Sequence, residues 1–232
     1  MTKTLLFLLF ALFTLSAFSQ NDSLIFSNAI EARTGSDINA PIYNGQEHAG
    51  YSPSIEGIPY YGLREWQQGT LAFQNISYRN VYLKYDLVAD QVIVRHPNGI
   101  TGIILFTRRI QSFTLGGKHF IYLPEDKLSG LKNGIYEELV KGKISLYAKR
   151  SKLIDEKIGQ NEIERKFIGN DQFYVLKDGN FHPVKRQKTI MTLVGDKRKE
   201  VNASLKASKM KFRLNQELTL KQIAQSYNQL SY

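Results

Sequence analysis

Residues 78–123 read YRNVYLKYDLVADQVIVRHPNGITGIILFTRRIQSFTLGGKHFIYL, and the spacing of apolar residues in this stretch decides the fold class. Val81, Leu83, Tyr85 and Leu87 occupy every second position. Side chains two residues apart share one face of a pleated strand, so these four belong together. Val92 and Val94 resume the pattern after the polar break at Asp86–Gln91. Gly116-Gly117 parts FTL from KHFIYL, and such a pair supplies the positive φ that a two-residue hairpin turn needs. The stretch predicts an antiparallel meander.

The alternation continues outward from it. Ile103–Phe106 and Ser112–Leu115 read as short strands, with Arg108 and Arg109 between them. An arginine pair can clamp a carboxylate or phosphate. It also forms a solvated edge that blocks edge-to-edge pairing, and the edge is the favoured reading. Pro124–Asn133 is an expected loop. Gly134–Val140 and Lys143–Ala148 form an expected hairpin across Lys141-Gly142. Phe173–Leu176 and Asn180–Val184 form another across Asp178-Gly179, two residues that tolerate positive φ. Lys149–Arg165 is charged and lacks a period, which predicts a long loop or insertion. Upstream, Gly69–Phe73 is an expected first strand. The fold class that follows is α+β: a curved antiparallel β-meander or partly closed barrel, with a small C-terminal helical segment.

Lys3 precedes the apolar run LLFLLFALFTL, and Ala17 and Ser19 supply small residues at its end. This pattern predicts a secretory signal peptide over residues 1–19, too short to span a bilayer. A bacterial lipoprotein carries its lipid on a cysteine, and the chain has none, so the expectation is an exported, periplasmic or outer-membrane-associated protein that is not a lipoprotein. Without disulfides it must rely on core burial. Residues 20–68 read as an irregular strap. Ser23–Arg33 could form a short helix, and Gly and Pro are dense from Gly35 to Gly62. Tyr43, Tyr51, Tyr60, Tyr61 and Trp66 recur through it, which argues against disorder and for docking onto the sheet. The expected divisions are the signal peptide, this strap, a β domain over 69–185 and a basic helical segment over 186–232.

The formal charge is +10. Most of the excess falls on Lys185, Arg186, Lys188, Lys197, Arg198, Lys199, Lys206, Lys209, Lys211 and Arg213, opposed between them by Asp196 and Glu200 alone. Three helices are expected here: Lys188–Val194; a second to about Ser208, capped by Asp196 and buried along Val201 and Leu205; and Asn215–Leu230. In the last, Leu220, Ile223, Ala224, Tyr227 and Leu230 follow the spacing of one buried face. The ten cations are the candidate binding residues, for an envelope protein or an anionic lipid or glycan surface. The absence of interleaved aromatics from Lys197 to Lys211 argues against nucleic acid.

Signatures of catalysis are lacking. The sequence has no GxSxG elbow, P-loop or Rossmann fingerprint. His48, His96, His119 and His182 are scattered without metal-ligand spacing. Asp86 and Asp90 form the one tidy carboxylate pair, and both suit turn positions. No catalytic residue, metal or cofactor is expected.

The runs PIYNGQEHAGYSPSIEGIPYY (41–61), EWQQGTLAF (65–73), NVYLKYDLVADQVIVRHP (80–97), AKRSK (148–152), FYVLKDGNFHPVKRQKTIM (173–191) and GDKRKEV (195–201) resemble a group of exported proteins from Bacteroidetes-type bacteria. The group has no assigned activity. The resemblance implies export, a β-rich body and a place in the cell envelope, and it carries over no site residues. The expected function is a non-enzymatic, envelope-associated binding or accessory protein. The alternatives are a carrier holding an apolar ligand among Val81, Leu83, Val92 and Val94, and, last, a hydrolase using Asp86 or Asp90 with a histidine.

Overall fold

The chain enters its main sheet through two short strands, β1 (Ala32–Thr34) and β2 (Gln46–Glu47). A first meander follows: β3 (Gln67–Phe73), β4 (Ile76–Asp86), β5 (Gln91–Arg95) and β6 (Gly102–Ile104). A second is made of β7 (Ile110–Leu115), β8 (Lys118–Leu123), β9 (Gly134–Val140) and β10 (Ile144–Lys149). The hairpin β11 (Lys152–Ile158) and β12 (Ile163–Gly169) forms a sheet of its own, and β13 (Gln172–Lys177) and β14 (Asn180–Pro183) return to the main one. Helices α1 (Gln187–Leu193), α2 (Arg198–Ala207) and α3 (Gln216–Gln229) follow. This computed structural model describes residues 32–35, 37–159 and 163–231. The expected signal peptide lies outside the described residues. So do residues 23–31 of the expected first helix, and its end, Ala32–Arg33, is strand β1, paired in parallel with Ser77–Tyr78 of β4.

Eleven strands hydrogen-bond in the order β14-β13-β10-β9-β8-β7-β3-β4-β5-β6-β2, and every pair along that path is antiparallel. The β3–β7 pairing joins the two meanders. The link from β6 to β7 is only residues 105–109, yet β5, β4 and β3 lie between those strands in the sheet. A flat sheet would separate them by roughly 19 Å. The link includes a tight 3₁₀ turn at Thr107–Arg109 that rises only about 2 Å per residue, so the sheet must curl to bring the two ends within reach. The antiparallel sheet with C-terminal helices is as expected, but among the described residues no sheet is closed into a barrel. Among the described residues the ordering ends at β2 and β14 with no strand pair between them. Both edges are short, and Pro183 blunts one, so closure is not needed to hide them.

Inside the curl lie Leu71, Phe73, Tyr78, Val81, Leu83, Tyr85, Val92, Val94, Phe113 and Phe120. Phe113 and Phe120 stack at 4.7 Å, and Tyr85 meets both edge-on. Burying such side chains stabilises the fold by roughly 1.5–3 kcal/mol apiece. Strict alternation from Val81 would turn Tyr78 outward. Asn80, at φ 56°, adds a residue opposite the Gly69–Leu71 step of β3, and this bulge brings Tyr78 back to the core face. From the strap, Tyr43 and Tyr60 are buried, and Tyr61 packs edge-on against Phe120 at 5.0 Å.

The helices cover one face of the sheet at β9, β10 and β13. Val140, Ile144, Leu146, Ala148 and Val175 pack against Ile190, Val201, Leu205, Leu220, Ile223 and Tyr227. Asn228 locks α3 to the sheet: its side chain accepts from Ile144 N at 2.9 Å and donates to Ile144 O at 3.0 Å. On the opposite face Leu131, Tyr136, Tyr147 and Tyr174 form a separate cluster. Hence Ser145 and Tyr147, on the face opposite Ile144, Leu146 and Ala148, are buried as well.

Three local expectations are corrected. Lys149–Arg165 is not a loop, since β11 and β12 pair through seven residues each. Most of their side chains meet water on both faces, so the ladder imposes no apolar alternation for a reader to find. The hairpin is held by its backbone bonds, by Arg165 Nε donating to Glu156 at 2.7 Å, and by buried Phe167 edge-on to Tyr51 at 5.3 Å. Asp196 does not cap α2. It sits in the preceding 3₁₀ turn (Gly195–Lys197) and accepts a hydrogen bond from Tyr227 Oη at 3.3 Å. Leu230 is exposed, because it lies past the last turn of α3.

Candidate functional site

The ten candidate cations fall on one stretch of the helical layer. Lys185 and Arg186 follow β14, Lys188 lies in α1, and Lys197 closes the 3₁₀ turn. Arg198, Lys199 and Lys206 lie on α2, and Lys209, Lys211 and Arg213 occupy the link to α3. On α2, Val201 and Leu205 turn to the core, while Lys199 and Lys206, seven residues apart, share a solvent-facing side. Lys197 is half-buried and the other nine are exposed. None of the ten forms an ion pair among the described residues. Their charges therefore add rather than cancel, and the layer presents a cationic surface whose apolar side is already used against the sheet.

The carboxylates singled out from the sequence have structural partners. Asp86 is fully buried and accepts from Tyr51 Oη at 2.9 Å, Val88 N at 2.9 Å and Ala89 N at 3.1 Å. It thus closes its own turn and anchors the strap. Asp90, at φ 55°, accepts from Tyr85 Oη at 2.7 Å and from Lys149 Nζ at 2.5 Å. Burial, and then the Asp90 charge, hold the Tyr85 hydroxyl well above its ordinary range, so it remains the donor.

The histidines are dispersed. His48 bonds Tyr60 Oη at 2.9 Å, His96 lies edge-on to Tyr43 at 5.2 Å, and His119 meets Glu138 at 3.1 Å. Among the described residues no three His, Cys, Asp or Glu side chains are grouped to hold a metal. His48 stands near Asp86, but the Asp86 oxygens are occupied by Tyr51 and the turn amides.

Burial lowers the His48 pKa from its ordinary 6.5; the Asp86 charge opposes this and Lys84 adds to it. The unfolded chain then takes up the proton more readily than the folded one. Stability from this group is full above the unfolded value and is lost as pH falls below it. His48→Gln should shrink the drop in urea midpoint between about pH 7.5 and about pH 5.5 relative to wild type. An equal drop in both proteins would show that His48 does not titrate with folding.

Beneath the strap, Arg150 gathers three carboxylates. It donates from Nε to Glu137 and from Nη1 to Asp171 and Glu217, each at 2.7 Å. Burial alone would lower its pKa, but the hydrogen bonds to Glu217, Glu137 and Asp171 outweigh burial and hold it above its ordinary value. Tyr61 Oη also donates to Glu137 at 3.2 Å. Arg150 thus ties the sheet to α3, and Glu137 links the cluster to Tyr61 of the strap. Its nearness to these acids had no sequence signal, since periodicity says nothing of pairing between distant segments.

No family model, curated protein or solved structure matches the chain. No helix among the described residues is long and apolar enough to cross a membrane.

Proposed function

We propose that the chain is a non-enzymatic, exported, envelope-associated binding or accessory protein that docks through its basic C-terminal layer. The observation that carries this reading is the set of ten cations that form no ion pair among the described residues, on and between helices whose apolar faces are buried. Near an anionic surface each is worth about 1 kcal/mol, so several acting together support salt-sensitive binding. The carrier alternative draws less support: Val81, Leu83, Val92 and Val94 sit in packed contact with the aromatic core.

The test is a pull-down of tagged protein from gently solubilised envelopes at low and high salt. The companion variant is Lys197→Gln/Arg198→Gln/Lys199→Gln/Lys206→Gln. The expected result is a stoichiometric envelope protein retained at low salt, and lost both at high salt and by the variant. Co-purification of only lipid or a small molecule at every salt would replace docking with the carrier reading. Recovery of nothing would make the basic layer a solvated face.

A further inference from the structure

We propose that a cleft at one end of the curled sheet binds a small organic anion with a planar apolar body, gripped by Arg108 and Arg109. The cleft measures about 430 Å³, within the roughly 300–1,000 Å³ usual for small-ligand sites. It forms where four segments meet. Asp90 comes from the β4–β5 turn, Phe106, Arg108 and Arg109 from the β6–β7 link, Tyr122 from β8, and Gly134 from the start of β9. The short β6–β7 link, which forces the curl, is also what carries the arginines to this end.

The base of the cleft is held in place. Asp90 is bonded to Tyr85 and Lys149, and Lys149 also donates to Ile135 O at 3.2 Å. Gly134 passes directly over this pair at φ 143°, and a Cβ there would strike both Asp90 Oδ2 and Lys149 Nζ. The base is thus a closed ion pair rather than a free charge.

That closure decides the sign of the cleft. Among the described residues Asp90 is the one carboxylate lining it, and Lys149 already neutralises it. Arg108 and Arg109 are exposed and form no ion pair among the described residues. Two guanidinium groups therefore set a positive field, and their planar forks suit carboxylate or phosphate oxygens. The Arg109 guanidinium lies 4.9 Å from the centre of the Phe106 ring, which limits its freedom before any ligand arrives. Phe106 itself is 56% exposed. An exposed ring beside two cations favours a ligand that covers the ring with a flat apolar body and meets the cations with an anion. A neutral ring system lacks the second contact, and inorganic phosphate lacks the first. None of the ten cations of the helical layer lines this cleft, so the proposal stands apart from the docking surface.

The experiment is a titration of the ¹⁵N-labelled full chain with 2-naphthoate, followed by amide chemical shifts. 2-Naphthylmethanol and inorganic phosphate are the matched probes lacking charge and rings respectively. The expected result is saturable binding of naphthoate, about ten-fold tighter than either probe, with shifts confined to residues 89–91, 106–109, 122 and 133–134. Arg108→Gln/Arg109→Gln should weaken it by about ten-fold or more, Phe106→Ser by several-fold, and Phe106→Tyr little. All three substituted positions are exposed residues of the β6–β7 link, and unchanged shifts elsewhere confirm folding. The quadruple variant of the basic layer should bind as wild type. The proposal is overturned by naphthylmethanol binding as tightly, by full affinity in the double arginine variant, by shifts mapping to the helical layer, or by no saturation.

Discussion

Arg150→Met is expected to lose about 3–5 kcal/mol of stability, a large share of the 5–15 kcal/mol that holds a typical domain folded. The side chain is 11% exposed, and Glu137, its partner at 2.7 Å, is 2% exposed. Removing the guanidinium leaves the Glu137 carboxylate out of water with the Tyr61 hydroxyl as its remaining side-chain donor. Asp171 and Glu217, each 2.7 Å from Nη1, are then left facing one another without the cation. Methionine keeps much of the volume, so the loss reports charge rather than cavity. The double variant Arg150→Met/Glu137→Met removes the stranded charge and should recover a substantial part of the loss. Urea midpoints of wild type, single and double variants decide the matter. A single variant within about 0.5 kcal/mol of wild type would show that the cluster is solvated and contributes little.

Gly69→Ala should cost about 3 kcal/mol or more, at or above the upper end of overpacking effects. Gly69 lies in β3 opposite Val81 of β4, one residue before the Thr70–Thr114 pair of β7. A Cβ at this position would penetrate the backbone carbonyl of Thr114, which cannot rotate aside as a side chain could. The β3–β7 ladder would have to part, and that ladder joins the two meanders. The hydrogen bond from Thr70 N to Thr114 Oγ1, at 3.0 Å, would go with it. Gly169→Ala is the matched control. A Cβ there meets nothing within 4 Å, so its effect should stay within about 0.5 kcal/mol. Thermal unfolding of the two variants side by side checks the contrast, and equal midpoints would sink the argument.

Much of this architecture was legible residue by residue. Gly116-Gly117 and Asp178-Gly179 turn their hairpins at positive φ, as their chemistry requires. Val81, Leu83, Tyr85, Val92 and Val94 face one core, and Leu220, Ile223, Ala224 and Tyr227 bury one face of α3. The β11–β12 hairpin was illegible for the opposite reason: neither of its faces is widely buried, so apolar residues such as Ile158, 84% exposed, follow no alternation. The bulge at Asn80 was also hidden, since a single left-handed asparagine leaves no periodic mark. Of the cleft, the arginine pair drew notice as a motif, but its partners did not. Phe106 reads only as the end of a short strand two residues before the pair, and Tyr122 and Gly134 come from two other stretches of an otherwise ordinary β sequence.

The sequence by itself determined what local physics controls: which residues pair off as hairpins, which helix face is apolar, and that the positive charge gathers at the C-terminal end. Each depends on side chains a few positions apart. Only the tertiary structure decided how the meanders join through β3 and β7, that the sheet stays open, that Arg150 collects Glu137, Asp171 and Glu217, and that Asp90 is neutralised while Arg108 and Arg109 are not. These are contacts between residues far apart in the chain. They are chosen by where the curl of the sheet brings segments together, and no local pattern records that.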